Sequence, residues 1–316
     1  MLQFCQIISN QKTLHVQAAK KHLFTGHRDC VYTLQSGGEP HLFFSGGGDG
    51  FIARWNLETG GDGELIGQLP HSVYALHYLP EKKLLVAGQN YSGIHLIDDH
   101  NKKEVASLQL TTAAIFDIQS FQNDLIAGTG DGALTIIDLD RWAIKKKIAV
   151  TEKSVRTLAV NPALGEMAVG FSDHCIRIFD LDQYQVKKEI KAHANSVFTL
   201  SYSPDNHLLF SGSRDARIKT WDVQAGYSLS QEVVAHTYAI NHIVFSPSGK
   251  NFATGSLDKT IKIWEADNLK LLKVLDKSRH GGHSASVNKM LWTAYNQQLV
   301  SASDDRTISA WDLLFL

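Results

Sequence analysis

Two series of residues run the length of this chain on one shared period. Val31, Val73, Ile115, Val155, Val197, Ile240 and Val287 are spaced 42, 42, 40, 42, 43 and 47 residues apart. Trp55, Ile97, Ile137, Phe179, Trp221, Trp264 and Trp311 step by 42, 40, 42, 42, 43 and 47. A repeat of about 40 to 45 residues with four strand-like segments per unit predicts the blades of a β-propeller. Helical repeats of that length would place apolar residues at i, i+3 and i+4, and no such stripe is visible. Seven units and a short N-terminal segment use all 316 residues, so a single domain over 1–316 is expected.

Composition narrows the class of partner. Thirty-one basic residues against thirty-two acidic ones give a net charge of −1, which offers no overall basic excess to meet phosphates, so nucleic acid is not expected as a partner. The three cysteines, Cys5, Cys30 and Cys175, are odd in number and unrelated in spacing, which fits a reducing compartment and neither a disulfide framework nor a zinc site. Residues 1–8 lack a basic stretch followed by a long apolar core, and no segment approaches the roughly 20 apolar residues of a membrane span. The expectation is a soluble cytoplasmic protein without a membrane partner, monomeric alone, with a place in a larger complex left open.

The fifth unit shows the local logic. Val197–Tyr202 alternates side chains between two sheet faces, as a blade packed between neighbours requires. Ser203-Pro204-Asp205-Asn206 is turn chemistry, because proline presets φ and the Asp and Asn side chains bond back to the local backbone. A second hairpin, Ser211-Gly-Ser-Arg-Asp215, leads to a strand ending in Trp221-Asp222, and Val186–Lys191 supplies a fourth strand.

These residues resemble the WD40-repeat family: a His ahead of the first strand, Ser-Gly-Ser-x-Asp in the second hairpin, and Trp-Asp closing the third strand. The likeness covers essentially the whole chain. It implies an all-β, seven-bladed propeller with four antiparallel strands per blade, and in each blade a buried hydrogen-bond chain of His, Ser or Thr, Asp and Trp. Complete sets are His27, Ser45, Asp49 and Trp55 in unit one, and His193, Ser211, Asp215 and Trp221 in unit five. Unit six has His236, Thr254, Asp258 and Trp264; unit seven has His283, Ser301, Asp305 and Trp311. Units three and four keep Asp131 and Asp173 but have Thr111 and Thr151 in place of His, so those carboxylates are expected to bond backbone N–H groups of their own turns. Unit two, with Leu69, Tyr91 and Ile97 at the matching positions, is expected to rest on apolar packing.

The seventh unit ends too soon for a fourth strand, and Ala18–Phe24 has the pattern of the missing one. The N-terminal strand is therefore expected to complete the last blade and close the ring, which removes exposed sheet edges. Residues 1–12 are surplus to this scheme, and an extra outer strand or a mobile segment are both open.

Several motifs imitate catalysis. Each complete set contains His, Asp and Ser, or Thr in unit six, but a catalytic triad is needed once and these recur at fixed blade positions. Gly128-Thr-Gly-Asp-Gly-Ala133 satisfies G-x-G-x-x-A yet precedes a strand, so no helix N-terminus is there to receive a pyrophosphate. His280 and His283 lie in a glycine loop without a third nearby ligand. No catalytic residue, cofactor or metal is assigned.

Function is expected at the end of the ring that carries the His loops and Asp turns, where the family resemblance implies three exposed positions per blade. Those just after each anchor read Tyr32, Tyr74, Phe116, Arg156, Phe198, Asn241 and Asn288. Four aromatics and an arginine on consecutive blades have the composition of an interface hot spot. The positions before each Asp read Gly48, Asn90, Gly130, Ser172, Arg214, Leu257 and Asp304, and the small ones leave room for a ligand. The reading is a non-enzymatic scaffold that binds a protein or peptide at this end. Three alternatives stand beside it: aromatics that only fill gaps between blades, a metal-dependent hydrolase with carboxylates around the channel, and a phosphopeptide reader using Arg28, Arg156 and Arg214.

Overall fold

Every residue of the two periodic series is buried: the seven first-strand anchors are 0% exposed and the seven Trp, Ile or Phe positions are at most 4% exposed. Their recurrence is thus the recurrence of a packed interface. The computed structural model describes residues 15–316, and the expectation for residues 1–12 lies outside them. The described residues form seven four-stranded antiparallel sheets. In blade one the strands are Val31–Ser36, Leu42–Gly47, Phe51–Asn56 and Glu64–Gln68 from the axis outward, and five further blades repeat this meander. The innermost strands neighbour one another in cyclic order, the seventh beside the first, so the ring is closed.

Closure is made as the sequence predicts. The last blade orders Val287–Trp292, Leu299–Ser303 and Ile308–Phe315, and Val16–Phe24 pairs antiparallel to the outermost of these, from Val16 opposite Phe315 to Phe24 opposite Ile308. This strand begins two residues earlier than the Ala18 expected, because Ile308–Phe315 runs on past Trp311 and offers it a longer edge. Phe24 crosses the seam, its ring 5.5 Å from Phe43 and 5.4 Å from Trp55 of blade one. Polar bonds join the same two blades: Asn288 Nδ2 donates to the Val31 carbonyl at 3.0 Å, and Thr293 Oγ1 donates to the Pro40 carbonyl.

The core is distributed over the junctions between blades, and glycine sets how closely they approach. A Cβ on Gly46 would lie 2.7 Å from Val73, on Gly128 2.5 Å from Val155, and on Gly212 2.8 Å from Ile240, so each anchor seats against a bare backbone of the preceding blade. Each innermost strand also carries a register shift immediately after its anchor, for example between Val197 and Thr199. Its inner edge has no further strand to pair with, so backbone N–H groups there need other acceptors. Side chains two residues past the anchor supply them across the junction. Thr199 Oγ1 accepts from Ile243 N–H at 3.1 Å, Asp117 Oδ2 from Leu158 N–H at 2.8 Å, and His242 Nδ1 from Met290 N–H at 3.3 Å.

The four hydrogen-bond sets form as the resemblance implies. In blade five Trp221 Nε1 donates to Ser211 Oγ at 2.9 Å, Ser211 Oγ meets His193 Nε2 at 2.8 Å, and His193 Nδ1 meets Asp215 Oδ2 at 2.9 Å. Asp215 also accepts from the N–H groups of Ala194 and Arg217, both at 3.0 Å. The chain repeats through His27, Ser45, Asp49 and Trp55, through His236, Thr254, Asp258 and Trp264, and through His283, Ser301, Asp305 and Trp311. Both ring nitrogens of His283 are thereby taken, so it cannot pair with His280 on a metal.

The degenerate blades differ from expectation in two of three cases. Asp173 does bond its own turn, accepting from Cys175 N–H at 3.1 Å, and it also pairs with Arg177. Asp131 instead accepts the hydroxyls of Thr111, at 2.9 Å, and Thr129. Thr111 stands where the His stood and supplies a hydroxyl donor in its place. Blade two keeps a polar chain of other residues, buried Gln89 to His95 Nε2 and His95 Nδ1 to the exposed Glu104 at 3.1 Å, beside the apolar packing of Leu69 and Ile97. Gly128–Ala133 is a hairpin turn, with Gly132 at φ +81°.

These buried groups make stability depend on pH. Burial would raise the carboxyl of Asp215, but the His193, Ala194 and Arg217 N–H groups outweigh it and hold it well below the usual range. Asp258 and Asp305 are held down in the same way. Burial lowers His236 and His242, and pushes His77, beside Ser120 Oγ at 2.8 Å, down to about 4. The unfolded chain therefore binds protons that the fold refuses, first at these histidines as pH falls below about 6.5 and then at the carboxylates below about 4. Melting temperature is expected to fall continuously on acidification from pH 7. His77→Gln should flatten the upper part of that slope in melts taken across this range, and an unchanged slope would show that His77 titrates alike in both states.

Candidate functional site

Ring closure brings the residues after each anchor to the mouth of the central channel. Tyr32 and Tyr74 stack with centroids 4.6 Å apart at 27°, and Tyr74 meets Phe116 at 5.7 Å. The Arg156 guanidinium lies 3.9 Å from the Phe116 ring centroid and 4.8 Å from that of Phe198. Five side chains from blades one to five thus form one continuous arc, each half-buried. They bound a cavity of about 430 Å³ together with residues of blades six and seven. Contact with the neighbouring blade's ring does fill space between blades, yet the same rings line the cavity.

Arg156 is the unusual member. Its side chain makes no hydrogen bond or ion pair with any described residue, and its Nε is buried without an acceptor. Burial pulls its guanidinium below the ordinary value, against a raising influence of Tyr74, but an arginine stays charged at neutral pH. Two aromatic faces compensate part of the lost hydration, at roughly 0.5–2 kcal/mol for such a contact.

The other expected residues divide. Asn241 and Asn288 line the cavity, but their amide donors are spent: Asn241 Nδ2 on Ser286 Oγ at 2.8 Å and the Val287 carbonyl at 2.9 Å, Asn288 Nδ2 on Val31 and on Asp304 Oδ1 at 2.7 Å. Arg214 is exposed and lines the cavity beside Leu257. Arg28 does not join it: its guanidinium lies 5.2 Å from the Phe51 ring, away from the cavity lining, so the three arginines do not converge. Room at Gly48 is also missing, since a Cβ there would meet the Asp29 carboxylate at 2.8 Å.

Below the arc the structure adds Asp117, His242 and Lys289, which also line the cavity. Burial raises the Asp117 carboxyl, opposed by Lys289 and by the N–H groups of Leu158 and Ile118, and burial with the nearby Lys289 keeps His242 neutral. The sequence held a signal for them. The residues two past each anchor read Thr33, Ala75, Asp117, Thr157, Thr199, His242 and Lys289, and three of the seven are ionisable. Among the described residues no group of three or more His, Cys, Asp or Glu side chains is placed to hold a metal ion. Burial, followed by Asp304, pushes the Cys30 thiol up to about 11, and Cys175 is raised as well, so neither is an activated nucleophile.

Comparison with known proteins bears on the fold and the repeats. The sequence pattern of the WD domain, G-beta repeat family matches residues 19–56, 184–222, 227–265 and 270–312, half of the chain. Those are the four stretches that carry complete His, Ser or Thr, Asp and Trp sets. The crystal structure of the WD40 beta propeller domain of Doa1 superposes with a TM-score of 0.82 over 93% of this chain and 96% of that one, at 17% identity. That likeness concerns the fold alone. No curated protein matches in sequence.

Proposed function

This chain belongs to the WD40-repeat family, whose propellers generally serve as non-enzymatic interaction scaffolds, and on that premise we propose that it binds a protein or peptide over the channel mouth. The observation that carries this is the continuous arc Tyr32, Tyr74, Phe116, Arg156 and Phe198, half-buried and open on one side to a cavity large enough for a side chain. Large aromatics and arginine bury much area at small entropic cost, and a rigid ring loses little freedom on binding. Leu257, 49% exposed on blade six, adds an apolar side chain to the cavity lining. A cytoplasmic setting is proposed with it, from the sparse cysteines; among the described residues no helix is long and apolar enough to cross a membrane.

Affinity capture from the source cell with the wild type beside a Tyr74→Ala, Phe116→Ala, Phe198→Ala variant tests the assignment. The variant is expected to lose the partners that the wild type retains, and the partner should protect the mouth from hydrogen exchange. An unchanged set of partners with a folded variant would move the binding surface elsewhere.

A further inference from the structure

The Arg156 guanidinium carries five N–H donors and, among the described residues, gives none of them to an acceptor. Its two faces are occupied by Phe116 and Phe198, and its Nε is sealed from water. What is left are the two terminal amino groups, on a side chain that lines the channel cavity. Stability alone gives no reason for such a group, since an apolar side chain of similar length would fill the same gap without the cost of desolvating a charge. The position is preorganised for an acceptor that comes from outside.

The charges around the cavity state what kind of acceptor. Arg156, Arg214 and Lys289 line it on the positive side, Asp117 and Asp304 on the negative. Lys289 acts on the Asp117 carboxyl below the arc, and Asp304 accepts from Asn288 at the mouth. The lining therefore carries one positive side chain more than negative, and Arg156 is the arginine of the two that is withdrawn from solvent, with its Nε buried and without an acceptor. Resting on the reading above, we propose that the partner inserts a carboxylate side chain, Asp or Glu, into the channel mouth, where it pairs end-on with Arg156. A planar monoanion matches both the two-donor edge and the single excess charge. A phosphate dianion would bring a second negative charge toward Asp117 and Asp304. Leu257, exposed in the cavity lining, favours an apolar residue next to the acidic one.

Immobilised seven-residue peptide pools, amidated at the C-terminus and random at the flanks, test this with the central residue fixed as Glu, Asp, Gln, Lys or phosphoserine. The wild type is expected to retain the Glu and Asp pools roughly tenfold better than the Gln pool. Arg156→Met, which keeps an unbranched chain between the two rings, should erase that preference without lowering the melting temperature. Arg156→Lys, which keeps the charge but not the fork, should restore only part of it. Equal retention of Glu and Gln pools, with binding still lost in the aromatic triple variant, would overturn the carboxylate and leave the binding face standing. Preference for phosphoserine over Glu would overturn the carboxylate in favour of a phosphate. Binding of every pool unaffected by the triple variant, or of none, would remove both.

Discussion

Phe24→Ala is expected to destabilise the protein by about 3–5 kcal/mol, the cost of emptying a large buried aromatic site. Phe24 is 1% exposed and packs on Phe43 and Trp55 across the junction where the chain's two ends meet. That loss compares with a total stability of about 5–15 kcal/mol for an ordinary domain. Its neighbour Leu23 lies on the same strand but is 53% exposed, so Leu23→Ala should change stability by no more than about 0.5 kcal/mol. Deleting residues 1–24 goes further, because it uncovers the full edge of Ile308–Phe315 for pairing with other molecules. Urea titrations of the two point variants decide it: equal midpoints would mean that the ring is not held closed through this strand.

Asp215→Ala should cost about 2–4 kcal/mol in the same titration. The carboxylate is the acceptor for three donors at once, His193 Nδ1, the Arg217 N–H and the exposed Ala194 N–H; water can replace it at Ala194, but His193 is sealed from solvent, and a buried donor left unpaired costs roughly 1–3 kcal/mol. Asp131 provides the comparison. Its partners are the hydroxyls of Thr111 and Thr129 and the ammonium of Lys147, and Thr111 and Lys147 lie where water can replace it. Asp131→Ala should therefore cost about 1 kcal/mol or less. A cost at Asp131 as large as at Asp215 would show that the blades do not rely on the complete sets in the way the geometry indicates.

Much of the architecture was legible because a propeller spends its sequence on repetition. The anchor and Trp series marked seven blades, and the His, Ser or Thr, Asp and Trp sets marked how four of them are pinned. Legibility failed where a blade solved the same problem with other residues. Thr111 and Asp131 hold the shared His and Asp positions, but a Thr there gives no sign in the sequence that its hydroxyl will reach the carboxylate, and the chain Gln89, His95, Glu104 has no counterpart in the complete sets. Asn241 and Asn288 looked like exposed contact residues, but their donors face a neighbouring blade, and a neighbour's carbonyls are invisible in a unit read alone.

Blade number, strand order and the closing strand follow from the sequence by itself, because they rest on local hairpins and on small and large apolar residues that recur at one period. Only the tertiary structure decided that Tyr32, Tyr74, Phe116, Arg156 and Phe198 stack into one arc and that Arg156 has no acceptor. The physical reason is that stacking and desolvation are sums over everything adjacent in space. Here the adjacent groups come from strands about 42 residues apart, brought side by side only when the ring shuts.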